Sequence, residues 1–360
     1  MIRSVIFTLS ILMLMSSCAS DRSNKHSEGT VSHATFANPI RQGGSSPYVI
    51  HANGTYYYTQ STYVRVSLWS SKTIGGLRDA REHVVYNPDN TYYISGTRLY
   101  RLNGKWYIYY SSDDGDLSGR NIHVLENDAC DPLQGEFIHK GVIKTGNQKS
   151  FHPSIFEHGD KLYCLWSGYD APEALNIDIS HIYIAEMSDP WTLSSSPVAI
   201  LSPKYEWECQ WMSDNGLAAD RPSYVNEAPQ AIYSRDSTKV LLYFAASETY
   251  TSYYCEGLAV ADADGDITNP SSWRKLPKPV FGSDSSVSAF GAGHLSFFTD
   301  SAENTYIIYQ AYSDSGLDCL DNRSPRMQKV SWDQNGIPVL GTPVALGVPV
   351  LEPIINSSLL

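Results

Sequence analysis

Helical signal is nearly missing from this chain. No window of a dozen residues keeps apolar side chains at i, i+3, i+4 and i+7 behind a capping residue, so the sequence reads as almost entirely β. Positive charge is also scarce, with 26 Lys and Arg against 38 Asp and Glu and a formal charge of −12. That balance excludes an electrostatic footprint for nucleic acid and favours a neutral or weakly charged partner. Cysteines number only six, and none has the CxxC or Cys/His spacing of a zinc site. With Cys18 set apart, Cys130, Cys164, Cys209, Cys255 and Cys319 allow at most two disulfides, and Cys164, inside Leu162-Tyr163-Cys164-Leu165-Trp166, reads as a small buried hydrophobe. No proline-rich linker divides the chain, which argues for one domain. Aromatic residues, by contrast, are plentiful: 25 Tyr and 8 Trp supply flat faces with polar tips that suit sugars, and equally suit β-strands.

The one sustained apolar run, Val5 to Met15 after Arg3, is too short for a lasting bilayer span. It leads into Met15-Ser16-Ser17-Cys18, which resembles a bacterial lipobox with Cys18 as the acylated residue; an ordinary secretory signal with an incidental cysteine is the alternative. The expected organisation is a signal peptide over 1–18, a polar tether over 19–34, a folded domain over 35–350 and a tail over 351–360. Either reading of the leader sends the protein out of the cytoplasm. The lipobox reading anchors it by lipid alone to the bacterial cell envelope, at the outer membrane on its periplasmic or surface face.

Within the expected folded domain a single local theme returns five times, a polar turn followed by an aromatic or β-branched strand. It occurs at Asn53-Gly54-Thr55, Asn103-Gly104-Lys105, Gly159-Asp160-Lys161, Ser237-Thr238-Lys239 and Glu303-Asn304-Thr305. Steps of 50 residues from Gly54 to Gly104 and 55 from Gly104 to Gly159 leave room for four strands per repeat. The pattern predicts an all-β, five-bladed β-propeller, with a small-molecule site at one mouth of its channel.

Cleavage between sugars generally needs one carboxylic acid to protonate the leaving oxygen and a second carboxylate to activate water. Glu227, in Tyr224-Val225-Asn226-Glu227-Ala228-Pro229-Gln230, stands between apolar neighbours ahead of a strand. Partial desolvation there raises its pKa toward that of a general acid, unless the segment is a solvated loop.

This segment is similar to the Val-Asn-Glu-Gly-Pro motif of glycoside hydrolase family 43. Asn103 to Tyr110, Val124 to Asp128, Asp131 to Gly135, Ile182 to Ala185 through Trp191, and Gly291-Ala292-Gly293-His294 resemble the α-L-arabinofuranosidase-like members in the same order, so the likeness runs from about Asn38 to Pro343. The resemblance implies a five-bladed propeller, inversion at the anomeric carbon, and three acids, of which only the acid glutamate, Glu227, is present. Ser46, in Ser45-Ser46-Pro47, stands where the base aspartate is expected, and a hydroxyl holds no charge at neutral pH. His152, in Phe151-His152-Pro153-Ser154, replaces the orienting aspartate. A cationic or donating imidazole there lowers the pKa of Glu227, or else His152 itself titrates near its usual value of about 6.5. Arg98, in Ser95-Gly96-Thr97-Arg98-Leu99, replaces a Trp-Ala-Pro-Glu wall and suits a carboxylate or sulfate on an acidic sugar, or a surface ion pair.

Trp166, Glu208 and Arg326 are weaker candidates for the pocket, Trp166 and Glu208 as its walls or else in ordinary core and surface roles. Asp113, Asp114 and Asp116 form an acidic loop able to lend a base, or simply a solvated turn. His294 matches the family's histidine under the active site, and a structural calcium or sodium ion near it is the one cofactor expectation. The functional expectation is an exo-acting, arabinofuranosidase-like glycosidase on polysaccharide side chains. Catalytic roles go to Glu227 as acid and His152 or a loop aspartate as base, and substrate contacts to Ser46, Arg98, Trp166, Glu208 and His294. The alternative is a carbohydrate-binding lipoprotein that has lost hydrolysis. Partners are an oligo- or polysaccharide and the membrane through the N-terminal lipid, with a monomeric protein and no nucleic acid.

Overall fold

The computed structural model describes residues 34–89, 93–113, 119–147, 149–169, 178–211, 222–314 and 322–354. The expected signal peptide and tether, Cys18 included, lie outside them except for Ala34, as do Asp114, Asp116 and Cys319.

The five predicted turns are all hairpins joining the first two strands of a blade. Blade one comprises Tyr48–Ala52, Thr55–Thr59, Val66–Ser71 and His83–Tyr86; blade two comprises Ser95–Leu102, Lys105–Ser112, Asn121–Asn127 and Ile138–Ile143. Blade three comprises Lys149–His158, Lys161–Tyr169, Asp178–Asp189 and Val198–Leu201, and blade four Pro222–Tyr233, Lys239–Ala246, Cys255–Asp262 and Arg274–Lys275. Blade five pairs Phe290–Thr299, Thr305–Tyr312 and Arg323–Lys329. All pairings inside a blade are antiparallel. Left-handed Asn53-Gly54 and Asn103-Gly104 turn two of the hairpins, which is why Asn-Gly stands there.

Stability comes from the seams. Five apolar clusters lie one between each pair of neighbouring blades, the last uniting Phe298, Ile308 and Met327 of blade five with Val49 and Tyr58 of blade one. The ring is closed by the N-terminal segment. The Asn38 side chain donates to the Met327 carbonyl and accepts from its amide, both at 2.9 Å, and the Ile40 amide donates to the Pro325 carbonyl at 2.8 Å. The other terminus is tied in as well, since Pro349–Leu351 pairs with Thr35–Ala37 and the Glu352 carboxylate accepts from the amides of Ile74 and Gly75 at 2.8 Å. Residues 351–354, expected as the start of a tail, therefore belong to the fold. Among the described residues the cysteines are unpaired, and Cys164 is fully buried as a small hydrophobe.

One feature of the inner strands builds the site. Ser46, Gly96, His152, Ala228 and His294 each adopt positive φ, between 51° and 61°, and all lie at the same end of their blades. In blades two to five the pairing register slips at this point, between Ser95 and Arg98, Phe151 and Ser154, Glu227 and Gln230, and Gly293 and Ser296. Each slip is a bulge that re-aims side chains at the channel. A non-glycine residue in this region costs about 1–2 kcal/mol, which the surrounding blades supply.

Candidate active site

Glu227 sits at the blade-four bulge and is 9% exposed. Its Oε1 accepts a 2.6 Å hydrogen bond from the Tyr254 hydroxyl, and its Oε2 lies 3.8 Å from His152 Nδ1. Burial, with a smaller contribution from the charge of Glu248, raises its pKa to about 7, against the lowering effect of Tyr254 and of Arg323 and Arg120. The desolvation expected from Val225 and Ala228-Pro229 is thus realised, and the solvated-loop alternative is excluded.

The bulge is held from below. Arg98 is 2% exposed and donates from Nη1 to the Pro229 carbonyl at 2.9 Å, while the Ala228 amide donates to Ser167 Oγ at 2.9 Å. Asn226 Nδ2 donates to Glu208 Oε1 at 2.9 Å, and the Glu208 carboxylate meets Lys275 Nζ at 2.5 Å. Lys275 also donates to Asn226 Oδ1 at 2.7 Å. Both flanks of Glu227 are therefore fixed by buried polar contacts.

His152 faces Glu227 as a neutral imidazole. Burial first, then Arg120, Arg98 and Arg323, hold its imidazole well below the usual histidine value, and His294 is lowered likewise by burial and then by His152 and the guanidiniums of Arg98 and Arg323. The two rings meet edge to face at 4.6 Å. This corrects the expectation of a cationic His152 that lowers the pKa of Glu227: the histidine is uncharged and the carboxyl is raised. Gly96 makes room for it, because a Cβ there, at φ +61°, would come within 2.8 Å of the ring and 2.9 Å of the His152 backbone. Ser46 completes the circle. Its amide donates to Gln310 Oε1 at 2.8 Å and its hydroxyl accepts from Ser61 at 3.0 Å, with Ser61 Oγ in turn accepting from the Gly96 amide at 3.2 Å.

Ser46, His152, Glu227, Arg98 and His294 are brought to the channel region together. Trp166 and Glu208 are not walls of the pocket. Trp166 is fully buried in the seam between blades two and three, stacked on Tyr183 and donating to Asn147 Oδ1, because its strand position faces the neighbouring blade. Glu208 is fully buried too, its charge spent on Lys275, Asn226 and the amides of Lys204 and Tyr205. Arg326 is likewise internal and donates to the carbonyls of Ser288 and Tyr312. Asp113 is 3% exposed rather than solvated, and follows the second strand of blade two at the bulge end.

His152, Glu227 and His294 offer one ligand atom each, all within 4.8 Å of one another. Two imidazoles and one carboxylate do not suit calcium or sodium, which take oxygen ligands. The guanidiniums of Arg98 and Arg323, which lower both histidines, and of Arg120, which lowers His152, oppose any cation there. The expected channel ion near His294 therefore does not fit these residues as its direct ligands.

Sequence reasoning missed Tyr254, Arg120, Arg323 and Glu256. Glu256 is buried, raised by that burial to about 8, and accepts from the Leu295 amide at 2.8 Å beside the His294 bulge. The repeat register carried a signal for the other three. Arg120 immediately precedes the third strand of blade two, Tyr254 that of blade four, and Arg323 opens that of blade five, all at the end where the inner strands bulge.

The profile of glycosyl hydrolases family 43 matches residues 36–338. An extracellular exo-α-(1→5)-L-arabinofuranosidase of Streptomyces avermitilis is 31% identical, covering 89% of this chain and 68% of the relative. One of the same description from Streptomyces chartreusis is 31% identical over 77% of this chain and 83% of its own. Among solved structures, an α-L-arabinofuranosidase from Lactobacillus brevis superposes with a TM-score of 0.76 at 28% identity, covering 87% of this chain and 98% of that one.

Proposed function

The chain belongs to glycosyl hydrolases family 43, and from that premise we propose that it is an exo-acting, arabinofuranosidase-like glycosidase on polysaccharide side chains, with Glu227 as the general acid. The observation that carries this reading is a buried carboxyl whose pKa of about 7 leaves it protonated under near-neutral conditions, at the bulge of the channel. Glu227 gives its proton to the glycosidic oxygen as the bond to the anomeric carbon breaks, while water attacks that carbon from the opposite face and loses a proton to the base. The Tyr254 hydroxyl holds the acid and stabilises the carboxylate left behind.

His152 is too close to be that base. Inverting pairs stand about 6.5–9.5 Å apart to admit the water, whereas His152 Nδ1 is 3.8 Å from Glu227. Its role is to position the acid. Ser46 carries no charge to accept the proton. We assign water activation to Asp113, a buried carboxylate at the bulge end of blade two. A polar cleft of about 550 Å³ beside Ser45 and Ser61, with Tyr63, Trp69 and the Arg65–Glu82 pair in its lining, suits the rest of the glycan. Export and anchoring through acylated Cys18 complete the proposal, with the folded domain acting as a monomer outside the cytoplasm.

A second reading, glycan capture without hydrolysis, is supported by the neutral hydroxyl of Ser46, where the resemblance implies the base. Product release from plant and algal glycans decides between them. Release that disappears in both Glu227→Gln and Asp113→Asn supports the enzyme as assigned. Binding without release in the unaltered protein establishes capture, and release that survives Glu227→Gln removes Glu227 from the role of acid.

A further inference from the structure

Three guanidiniums gather around the acid and its two histidines, and none of them has a carboxylate partner among the described residues. Arg98 lies beneath, 2% exposed, with Nη2 buried and without a hydrogen bond. Arg323 is 5% exposed. Its Nη1 donates to Thr249 Oγ1 at 3.1 Å and its Nη2 to the Tyr63 hydroxyl at 3.4 Å, while its Nε is buried and unpartnered. Arg120 is half-buried, its guanidinium 5.7 Å from the ring centres of Tyr93 and Phe151, and Phe151 in turn packs against His152 at 4.9 Å. No side-chain hydrogen bond of Arg120 occurs among the described residues.

Elsewhere one guanidinium is matched by a carboxylate, whereas Arg326, fully buried, donates only to carbonyls and a hydroxyl. Arg65, which immediately precedes the third strand of blade one as Arg120 does that of blade two, is matched by a two-pronged bond to Glu82 at 2.8 and 2.9 Å. A buried cation without a counter-charge is costly to keep unless something supplies the anion. The chain as a whole is strongly acidic, so an uncompensated positive cluster at the channel is a local feature and not a reflection of composition. Burial raises both Glu227 and Glu256, so these two carboxyls add little negative charge below neutrality, and Glu248 is the further acid close enough to act on Glu227.

We propose that this site recognises a glycan whose terminal sugar carries an anionic group, with Arg120 and Arg323 as the residues that bind it. The proposal rests on the glycosidase reading above for the chemistry, and on the guanidiniums alone for the charge. A uronic acid carboxylate matches the planar fork of an arginine with two parallel hydrogen bonds, and a sulfate ester offers the same acceptor chemistry. The aromatic rings beside Arg120 and the Tyr250 ring, 5.6 Å from the Arg323 guanidinium, supply apolar faces for the sugar itself. Arg98 contributes charge and no contact, because it is 2% exposed, with Nη1 committed to the Pro229 carbonyl and Nη2 enclosed.

The test pairs sugars that differ only in charge. Calorimetry on the Glu227→Gln protein compares D-glucuronate with D-glucose, D-galacturonate with D-galactose, and galactose 6-sulfate with galactose, and includes L-arabinose. In parallel, turnover by the unaltered protein is followed on 4-nitrophenyl glycosides of the same sugars. The expected result is binding of at least one charged member about tenfold or more tighter than its neutral partner, the size of a hydrogen bond to a charged group. The preference should weaken with added salt and vanish in Glu227→Gln/Arg120→Met while neutral binding persists. Because Arg120 is partly exposed, that variant is expected to fold; a melting curve checks this, and the salt dependence reports on the charge without any change at Arg120.

Tighter carboxylate binding assigns a uronate, and tighter sulfate binding a sulfated sugar. Equal or stronger binding of the neutral partners overturns the inference and leaves the glycosidase standing if the neutral nitrophenyl glycosides are cleaved. Charged sugars bound with no glycoside cleaved leave the inference intact and remove hydrolysis. Binding of none of these sugars overturns it.

Discussion

Replacing Glu227 by glutamine should abolish turnover and, above neutrality, make the protein more stable. A carboxyl whose pKa is about 7 when folded and 4.5 when unfolded binds its proton more tightly in the folded state. Its contribution to stability is therefore complete below pH 4.5 and is lost as pH rises through 7. At about 1.4 kcal/mol for each tenfold difference in proton affinity, that loss amounts to about 3 kcal/mol by pH 8. Glutamine cannot ionise and keeps an acceptor for the Tyr254 hydroxyl, so the variant does not suffer it. Glu256 follows the same direction, up to about 8, but is present in both proteins and cancels in the comparison. Melting curves at pH 5 and pH 8 provide the assay. Between the two conditions about 2.5 kcal/mol of this is lost, so at about 1–2 °C per kcal/mol for a domain of this size the difference between variant and unaltered protein should swing by about 2.5–5 °C in favour of the variant. Equal pH dependence in the two proteins would refute the claim that Glu227 is desolvated and its proton held by the fold. The rate should carry the same signature, with kcat/KM falling above about pH 7 as the acid loses its proton.

Tyr254→Phe removes the donor that favours ionised Glu227, so the basic limb of the pH–rate profile should move up by about one pH unit, and a profile that stays in place would show that the hydroxyl does not tune the acid. Lys275→Met leaves the fully buried Glu208 charge without its partner and should destabilise by about 3–5 kcal/mol in urea unfolding, most of it recovered by adding Glu208→Gln. Trp166→Ala should cost about 3–5 kcal/mol, whereas Trp166→Phe should leave KM unchanged in steady-state assays, since the ring lies in a blade seam.

The propeller was legible because its turns are local. Asn53-Gly54 and Asn103-Gly104 need only their own backbone preferences to mark hairpins, and three further copies at the same place in the repeat give the number of blades. Glu227 was legible for a related reason, since its flanking residues are what desolvate it. The misreadings concern direction and charge. Trp166 and Glu208 have the composition of a sugar-binding wall, but which face of a strand points to the channel depends on bulges that carry no residue signature beyond a positive φ at positions as different as Ser46, His152 and His294. The charge state of His152 was hidden because its determinants, burial first and then the guanidiniums of Arg120, Arg98 and Arg323, depend on packing and on two other blades.

The departures that the family resemblance implies have a common sign. An expected carboxylate becomes the neutral Ser46, a second becomes the neutral His152, and a wall with an acid gives way to Arg98. Each change removes negative charge or adds positive charge around one retained acid. The bulge, the Tyr254 hydroxyl and the Glu208–Lys275–Asn226 contacts hold Glu227 in place beside these groups. On the proposed function, an acid that meets a leaving oxygen while the sugar brings a negative charge of its own needs a cationic rim beside it.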